Sequence, residues 1–158
     1  DMLQLEKLNQ QYDFVFCIGN TAAHLTQQKF ERFMGAANDA LVPGGCCVLQ
    51  VRNWDYVVEQ DSYDFPILKA DGGLRFYRRY TDITPQSLLF NTKLVNDDGV
   101  LFQHTVEMYP LLTEHYRQIF ESQKLRIAAH VRDFKGAAYR TTADSASIFI
   151  LEKSNITD

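Results

Sequence analysis

Two short segments place polar residues directly after apolar runs. The first is Cys17-Ile18-Gly19-Asn20-Thr21-Ala22-Ala23-His24-Leu25, and the second is Gln50-Val51-Arg52-Asn53-Trp54-Asp55-Tyr56. Open α/β sheets bind ligands just beyond the carboxyl ends of their parallel strands, so polar groups there are candidates for binding chemistry. Gly19 lets the backbone approach a ligand closely, because it carries no Cβ. Each polar residue also has a plainer use. Asn20 either contacts a ligand or caps the turn after its strand, since Asn tolerates left-handed backbone. Arg52 either meets an anion or forms an ordinary surface ion pair. His24 either faces a ligand or makes a hydrogen bond at the start of a helix.

Other chemistries find no support. His24, His104, His115 and His130 lack the spacing of zinc ligands, and Cys17, Cys46 and Cys47 form no Cys-x-x-Cys pair, so no metal is expected. No Ser-His-Asp set carries a nucleophile-elbow signature, so no catalytic nucleophile is expected either. The cysteines lie in apolar runs. Cys46 and Cys47 would point to opposite faces of a strand and could not easily bridge each other, which suits reduced thiols in a cytoplasmic protein. Arg75, Arg78 and Arg79 form a short basic cluster, read by default as a solvated face. His104, on an apolar strand face, is a core or cavity-lining histidine.

The formal net charge of −4, with no strongly basic stretch, argues against nucleic acid as a partner. No apolar run approaches the roughly 18 residues that span a membrane. The start, Asp1-Met2-Leu3, has no signal-peptide pattern. A length of 158 residues with 46% hydrophobic content is enough for one real core, and the 13% aromatic share points to aromatic packing around a cavity or interface.

The elements that must position the two segments follow from hydrophobic patterning. Asp13-Phe14-Val15-Phe16-Cys17-Ile18 is a continuous β-forming run, which predicts a strand buried on both faces. Thr26 is a predicted helix N-cap, and Phe30, Phe33, Met34, Ala37 and Leu41 recur at helical spacing. Val42-Pro43-Gly44-Gly45 is read as the helix stop, and Cys46 to Val51 as a second buried strand. Together these make one βαβ unit, which is almost always right-handed and parallel. The fold class is therefore α/β.

Residues 61–73 read as loop. Leu88–Leu94 and Val100–Met108 read as a hairpin around Asn96-Asp97-Asp98-Gly99. Val100, Phe102, His104, Val106 and Met108 share a face that should cover something. Residues 74–109 are thus expected to form an antiparallel insert or lid within a single partial domain spanning 1–158. Thr113 is a predicted cap for a helix bearing Tyr116, Ile119 and Phe120. Ile127–Val131 and Ala146–Leu151 should be antiparallel neighbours, because the connection Lys135–Asp144 is too loop-like for a parallel crossover.

Gly19-Asn20-Thr21, His24-Leu25, Pro43-Gly44-Gly45 and Arg52-Asn53-Trp54-Asp55, set on a strand–helix–strand frame, resemble the glycine N-methyltransferase-like group of class I S-adenosylmethionine-dependent methyltransferases. The match is clear over residues 13–56, and similarity of layout continues to about residue 151. Trp54 stands where the family usually has tyrosine. The family's glycine-rich cofactor loop precedes an adenine-contacting acid, and this chain begins at that acid.

The resemblance therefore implies the carboxy-terminal part of a Rossmann-like class I methyltransferase sheet, with an antiparallel β insert and a final antiparallel strand, as a fragment of a longer protein. The strand at Phe14 would then carry an unpaired apolar edge. The implied cofactor is S-adenosyl-L-methionine. Asp1 and Met2 would meet its adenine, and Cys17, Ile18 and Gly19 would lie along its methionine part, with His24 nearby. Asn20 and Arg52 match residues that hold the carboxylate of an amino-acid acceptor. Arg suits that task because its planar fork makes two charge-assisted bonds. Tyr77 loosely matches a tyrosine near the substrate.

The implied reaction is in-line methyl transfer to a small molecule, an amine or amino acid, in which positioning supplies much of the catalysis. The alternative is an interaction module that kept the scaffold and lost catalysis. A nicotinamide enzyme shares the sheet but has no support from the strand-end motifs. The sequence leaves room for a homo-oligomer.

Overall fold

A computed structural model describes residues 2–142 and 144–154. The chain forms two compact units. One comprises the residues up to Tyr56 together with those from Leu111 onward, and the other is Val57–Pro110.

The first unit is built on a four-stranded sheet. After a 3-10 turn at Met2–Lys7, strand β1 runs Tyr12–Cys17, helix α1 Gln27–Ala40 and strand β2 Leu41–Arg52. β1 and β2 pair in parallel, with Phe14 opposite Cys46 and Cys17 opposite Leu49. The expected βαβ unit is present. Thr26 caps α1 by accepting the Lys29 N–H at 3.5 Å.

The helix stops earlier than its Pro-Gly-Gly signal. Ala40 is its last residue, and Leu41 is already extended. Val42 precedes a proline, which disfavours the helical conformation. Lys153 Nζ donates to the carbonyls of Asn38 and Leu41 at 2.8 Å each, satisfying groups at the helix end. Pro43-Gly44-Gly45 instead forms a bulge in the β1–β2 pairing. A Cβ at Gly45 would come within 2.8 Å of the Val42 carbonyl oxygen, so only glycine fits.

A four-residue helix, α2, follows at Trp54–Val57. In the second unit, β3 (Tyr63–Asp64), β4 (Leu68–Ala70), β5 (Leu74–Thr81), β6 (Leu88–Asn96) and β7 (Gly99–Met108) form one antiparallel sheet. The segment read as loop at 61–73 thus contains two short strands, both paired with β5. They are too short for an alternation to register in the sequence. Phe65, Tyr80 and Phe90 form the aromatic centre of this unit, with Tyr80 only 2% exposed. The expectation that one face of β7 is covered holds only at its end. Met108 is buried, whereas Val100 and Phe102 are at least half exposed.

Helix α3 (Thr113–Ser122) and strands β8 (Leu125–Val131) and β9 (Ala146–Lys153) complete the first unit. β8 and β9 are antiparallel, as the connection between them requires. The sheet order is β1-β2-β9-β8, so β9 lies antiparallel between two strands of like direction.

Val15, Cys17, Cys47, Leu49, Val51, Ser147, Phe149 and Leu151 share one sheet face by register. On it, Phe30 of α1 meets Tyr116 and Phe120 of α3 at ring separations of 5.2 and 6.4 Å, and Phe120 meets Phe149 at 5.1 Å. The opposite face carries Phe14, Phe16, Val48 and Ile150 around a groove of about 310 Å³. β1 lies at the sheet edge, and Phe14 and Phe16 are 52% and 60% exposed. The first unit is thus a mixed α/β sheet with one parallel pair, β1–β2, extended by two antiparallel pairings.

Candidate functional site

The carboxyl ends of the parallel strands β1 and β2 lie side by side, and the two polar segments follow them. After Cys17 the chain turns through Gly19 (φ 74°) and Asn20 (φ 64°), both left-handed. Glycine is needed at position 19 for conformation and not for space, since an added Cβ would meet nothing closer than Thr21 Oγ1 at 3.9 Å. Thr21–His24 is a 3-10 turn, and the Thr21 hydroxyl donates to the Ile18 carbonyl at 2.8 Å. Ala22 and Ala23 are buried, whereas Ile18, Gly19 and His24 are exposed.

Three hydrogen bonds join this turn to β2. Gly19 N–H donates to Gln50 Oε1 at 2.9 Å, Asn20 N–H to the Gln50 carbonyl at 3.3 Å, and Arg52 N–H to Asn20 Oδ1 at 2.9 Å. Asn20 therefore serves the turn and ties it to β2. Its backbone makes the turn, and its side chain reaches the half-buried Arg52.

The second segment is far more embedded. Asn53 is 1% exposed. Its Nδ2 donates to the carbonyls of Thr141 at 2.7 Å and Asp144 at 2.8 Å, and its Oδ1 accepts the Tyr56 N–H at 3.2 Å. The Tyr139 hydroxyl lies 2.6 Å from Asn53 Oδ1 and 3.2 Å from Asp55 Oδ2. Burial, reinforced by the Asp55 charge, pushes the Tyr139 phenol up to about 12, so it remains a hydrogen-bond donor. Asp55 also accepts from the N–H and hydroxyl of Thr113.

Thr113 is thus the first residue of α3 and not its cap. Leu112 occupies the cap position, and its N–H donates to His115 Nδ1 at 3.3 Å. His130 stacks between Tyr139 and Phe149 at ring separations of 4.0 and 4.1 Å, and its Nε2 lies 2.8 Å from Ser147 Oγ. Burial, and secondarily the Arg117 charge, lowers the His130 pKa to about 4.

The thiols are not poised as nucleophiles. Burial pushes Cys17 up, against a hydrogen bond from the Ala22 N–H, and burial also takes Cys47 to about 12. All three cysteines are free. Among the described residues no group of three His, Cys, Asp or Glu side chains is arranged to hold a metal ion.

The structure thus brings together Cys17, Ile18, Gly19, Asn20 and Arg52 at the carboxyl ends of β1 and β2, with His24 one turn further on. Met2 opens the 3-10 turn that an ion pair between Glu6 and Arg32 ties to α1. Asp1 lies outside the described residues. Tyr77 belongs to the second unit, exposed on β5 opposite Lys93. The residues that sequence reasoning passed over are Gln50, Asn53, Asp55 and Tyr139. Gln50 had a signal, as the polar residue inside the buried run Cys46–Val51. Tyr139, more than eighty residues from Asn53, had none.

No family model matches the chain. It is 26% identical over 149 residues to a glycine/sarcosine N-methyltransferase of Halorhodospira halochloris, covering 92% of this chain and 53% of the relative. An S-adenosylmethionine-dependent methyltransferase from Clostridium acetobutylicum superposes with a TM-score of 0.81 at 12% identity, covering 98% of this chain and 63% of the other. The CcbJ methyltransferase from Streptomyces caelestis gives 0.79 at 16%, covering 95% and 65%. An amino pentose methyltransferase from Micromonospora echinaspora, solved with S-adenosylmethionine bound, gives 0.71 at 18%, covering 98% and 63%. The chain spans about half the length of the curated relative it matches. The resemblance to class I S-adenosylmethionine-dependent methyltransferases holds in sequence and in fold.

Proposed function

We propose that this chain supplies the acceptor side and part of the cofactor side of an S-adenosyl-L-methionine-dependent methyltransferase acting on a small amine or amino acid. The observation that carries this reading is the pair of hydrogen-bonded turns at the ends of β1 and β2, with Gly19 on one and Arg52 on the other. The relative named as a glycine/sarcosine N-methyltransferase supports an amine nitrogen as acceptor.

The residues present fit the cofactor. The left-handed bend at Gly19 leaves Ile18 and Gly19 exposed at the sheet edge, where they would hold its methionine part. Met2 and Asp1 would hold its adenine. The cofactor, when bound, supplies an already activated methyl group. The chain then has to orient the acceptor, and no nucleophilic residue is required of it. Arg52 would anchor an acceptor carboxylate by two charge-assisted hydrogen bonds. Tyr77 stays a candidate on resemblance alone.

Two measurements test this. Calorimetry with S-adenosyl-L-methionine and S-adenosylhomocysteine is applied to the 158-residue chain and to the chain with whatever coding sequence flanks it. Binding by either supports the enzyme; binding by neither favours an interaction module. In a polypeptide that methylates glycine or sarcosine, Arg52→Ala should raise the acceptor KM at least tenfold while cofactor Kd stays within twofold. Equal loss on both sides would remove Arg52 from the acceptor role.

A further inference from the structure

We infer that Asn20 and Gln50 are positioning residues that lock the turn carrying Gly19 to the strand end carrying Arg52, so that the two move as one body. The functional half of this inference rests on the methyltransferase reading; the structural half does not. The β1–β2 ladder ends at the Cys17–Leu49 pair, and beyond it the two chains would be free to part. Side chains continue the ladder. The Gln50 carboxamide accepts the Gly19 N–H at 2.9 Å, and the Asn20 carboxamide accepts the Arg52 N–H at 2.9 Å. The Asn20 N–H to the Gln50 carbonyl, at 3.3 Å, sits between them. Each turn thus donates to and accepts from the other across more than thirty residues of chain.

The direction of these bonds has a consequence for Asn20. A carboxamide accepts only through its oxygen, so the Arg52 N–H fixes which end of the Asn20 side chain faces it. The Asn20 oxygen is engaged in holding Arg52. Asn20 is accordingly assigned its effect on an acceptor through the placement of Arg52, which the left-handed backbone at position 20 makes reachable, and not through its Nδ2 donors. Placement matters here, because a shift of about 1 Å in a binding group can cost on the order of a hundredfold in rate.

Isosteric variants separate the two roles. Aspartate keeps the side-chain oxygen of Asn20 but loses its N–H donors, and glutamate does the same for Gln50. Amide hydrogen exchange on the 158-residue chain reads the lock without any activity. Asn20→Ala and Gln50→Leu should each lower protection at least tenfold at both the Gly19 and Arg52 amides, and the double variant should lose no more than either single one. Asn20→Asp and Gln50→Glu should restore protection.

In a polypeptide that turns over, Asn20→Ala should raise acceptor KM at least fivefold, and Asn20→Asp should bring it back to within threefold of the original. Unchanged Arg52 protection in Asn20→Ala would overturn the lock, as would protection lost only at the amide whose partner was removed. An Asn20→Asp acceptor KM as high as that of Asn20→Ala would return Asn20 to direct acceptor binding. Absence of cofactor binding in every polypeptide would sink the methyltransferase reading and leave the exchange result to decide the lock.

Discussion

After β1 the chain turns through Gly19 and Asn20 and stays at the surface, with Ile18, Gly19, Thr21 and His24 exposed. After β2 it turns through Asn53 and Trp54, each 1% exposed. Both turns follow the carboxyl ends of parallel strands, yet they are held by different means. The first depends on backbone conformation and a few exchangeable contacts with its neighbour. The second is the hub of a polar network that gathers the β8–β9 connection through Thr141 and Asp144 and the start of α3 through Thr113. The second turn is thus fixed by its own buried network, and the first is fixed through its bonds to Gln50 and Arg52.

The sharpest way to break that comparison is to remove Asn53. Its side chain satisfies two carbonyls and an N–H and accepts from the Tyr139 hydroxyl, all in a buried setting. Leaving several buried polar groups unpartnered places Asn53→Ala in the severe class, at about 3 kcal/mol of unfolding free energy. Asn20→Ala should cost about 1 kcal/mol, since the groups it leaves can reach water. Urea unfolding of the two variants measures the gap; equal losses would mean that the turns are held alike.

Acid offers a second, milder probe, because His130 supports one turn and not the other. Its ring is stacked on Tyr139, which bonds Asn53. The folded-state pKa is about 4, against an ordinary value of 6.5. Between these values the unfolded chain binds more protons than the folded one, so stability rises with pH there and is lost as pH falls from about 6.5 toward 4. Allowing for the ring's partial exposure, the loss is about 1–2 kcal/mol. His130→Phe keeps the stacking and should flatten this part of the pH–stability curve. Amide exchange at pH 5 should rise at Asn53 before it rises at Gly19.

Much of this frame was legible because it is encoded locally. The runs at Phe14 and Cys47 are rich in apolar β-formers and do form strands, and Thr26 caps the helix it precedes. β1 is nonetheless an edge strand covered on one face only, with Phe14 and Phe16 more than half exposed. The strand ends, and hence Gly19, Asn20 and Arg52, followed directly. What was misread depends on distant partners. Thr113 has the residue type of a cap, but its hydroxyl goes to Asp55, fifty-eight residues away. Pro43-Gly44-Gly45 reads as a helix stop because Pro and Gly oppose helices. Its tighter constraint is a bulge where Gly45 leaves no room for a Cβ. The insertion of β9 between β2 and β8 likewise follows from pairing across the whole sheet, which no local pattern announces.

The smallest expected effect is the most specific to the first turn. Gly19 has φ 74° and open space around its missing Cβ, so Gly19→Ala introduces strain without a clash. An L-residue in that conformation costs about 1 kcal/mol, and the chain can relieve it by moving the turn. Moving the turn would stretch the bonds to Gln50 and Arg52 while leaving the Asn53 network intact. Gly19→Ala should therefore lower the urea midpoint slightly and accelerate exchange at Arg52, with exchange at Asn53 unchanged. Gly19→Asn, which tolerates left-handed backbone better than alanine, should recover part of the loss. Faster exchange at Asn53 in Gly19→Ala would show that the two turns are one cooperative structure, and the contrast between them would then be one of burial alone.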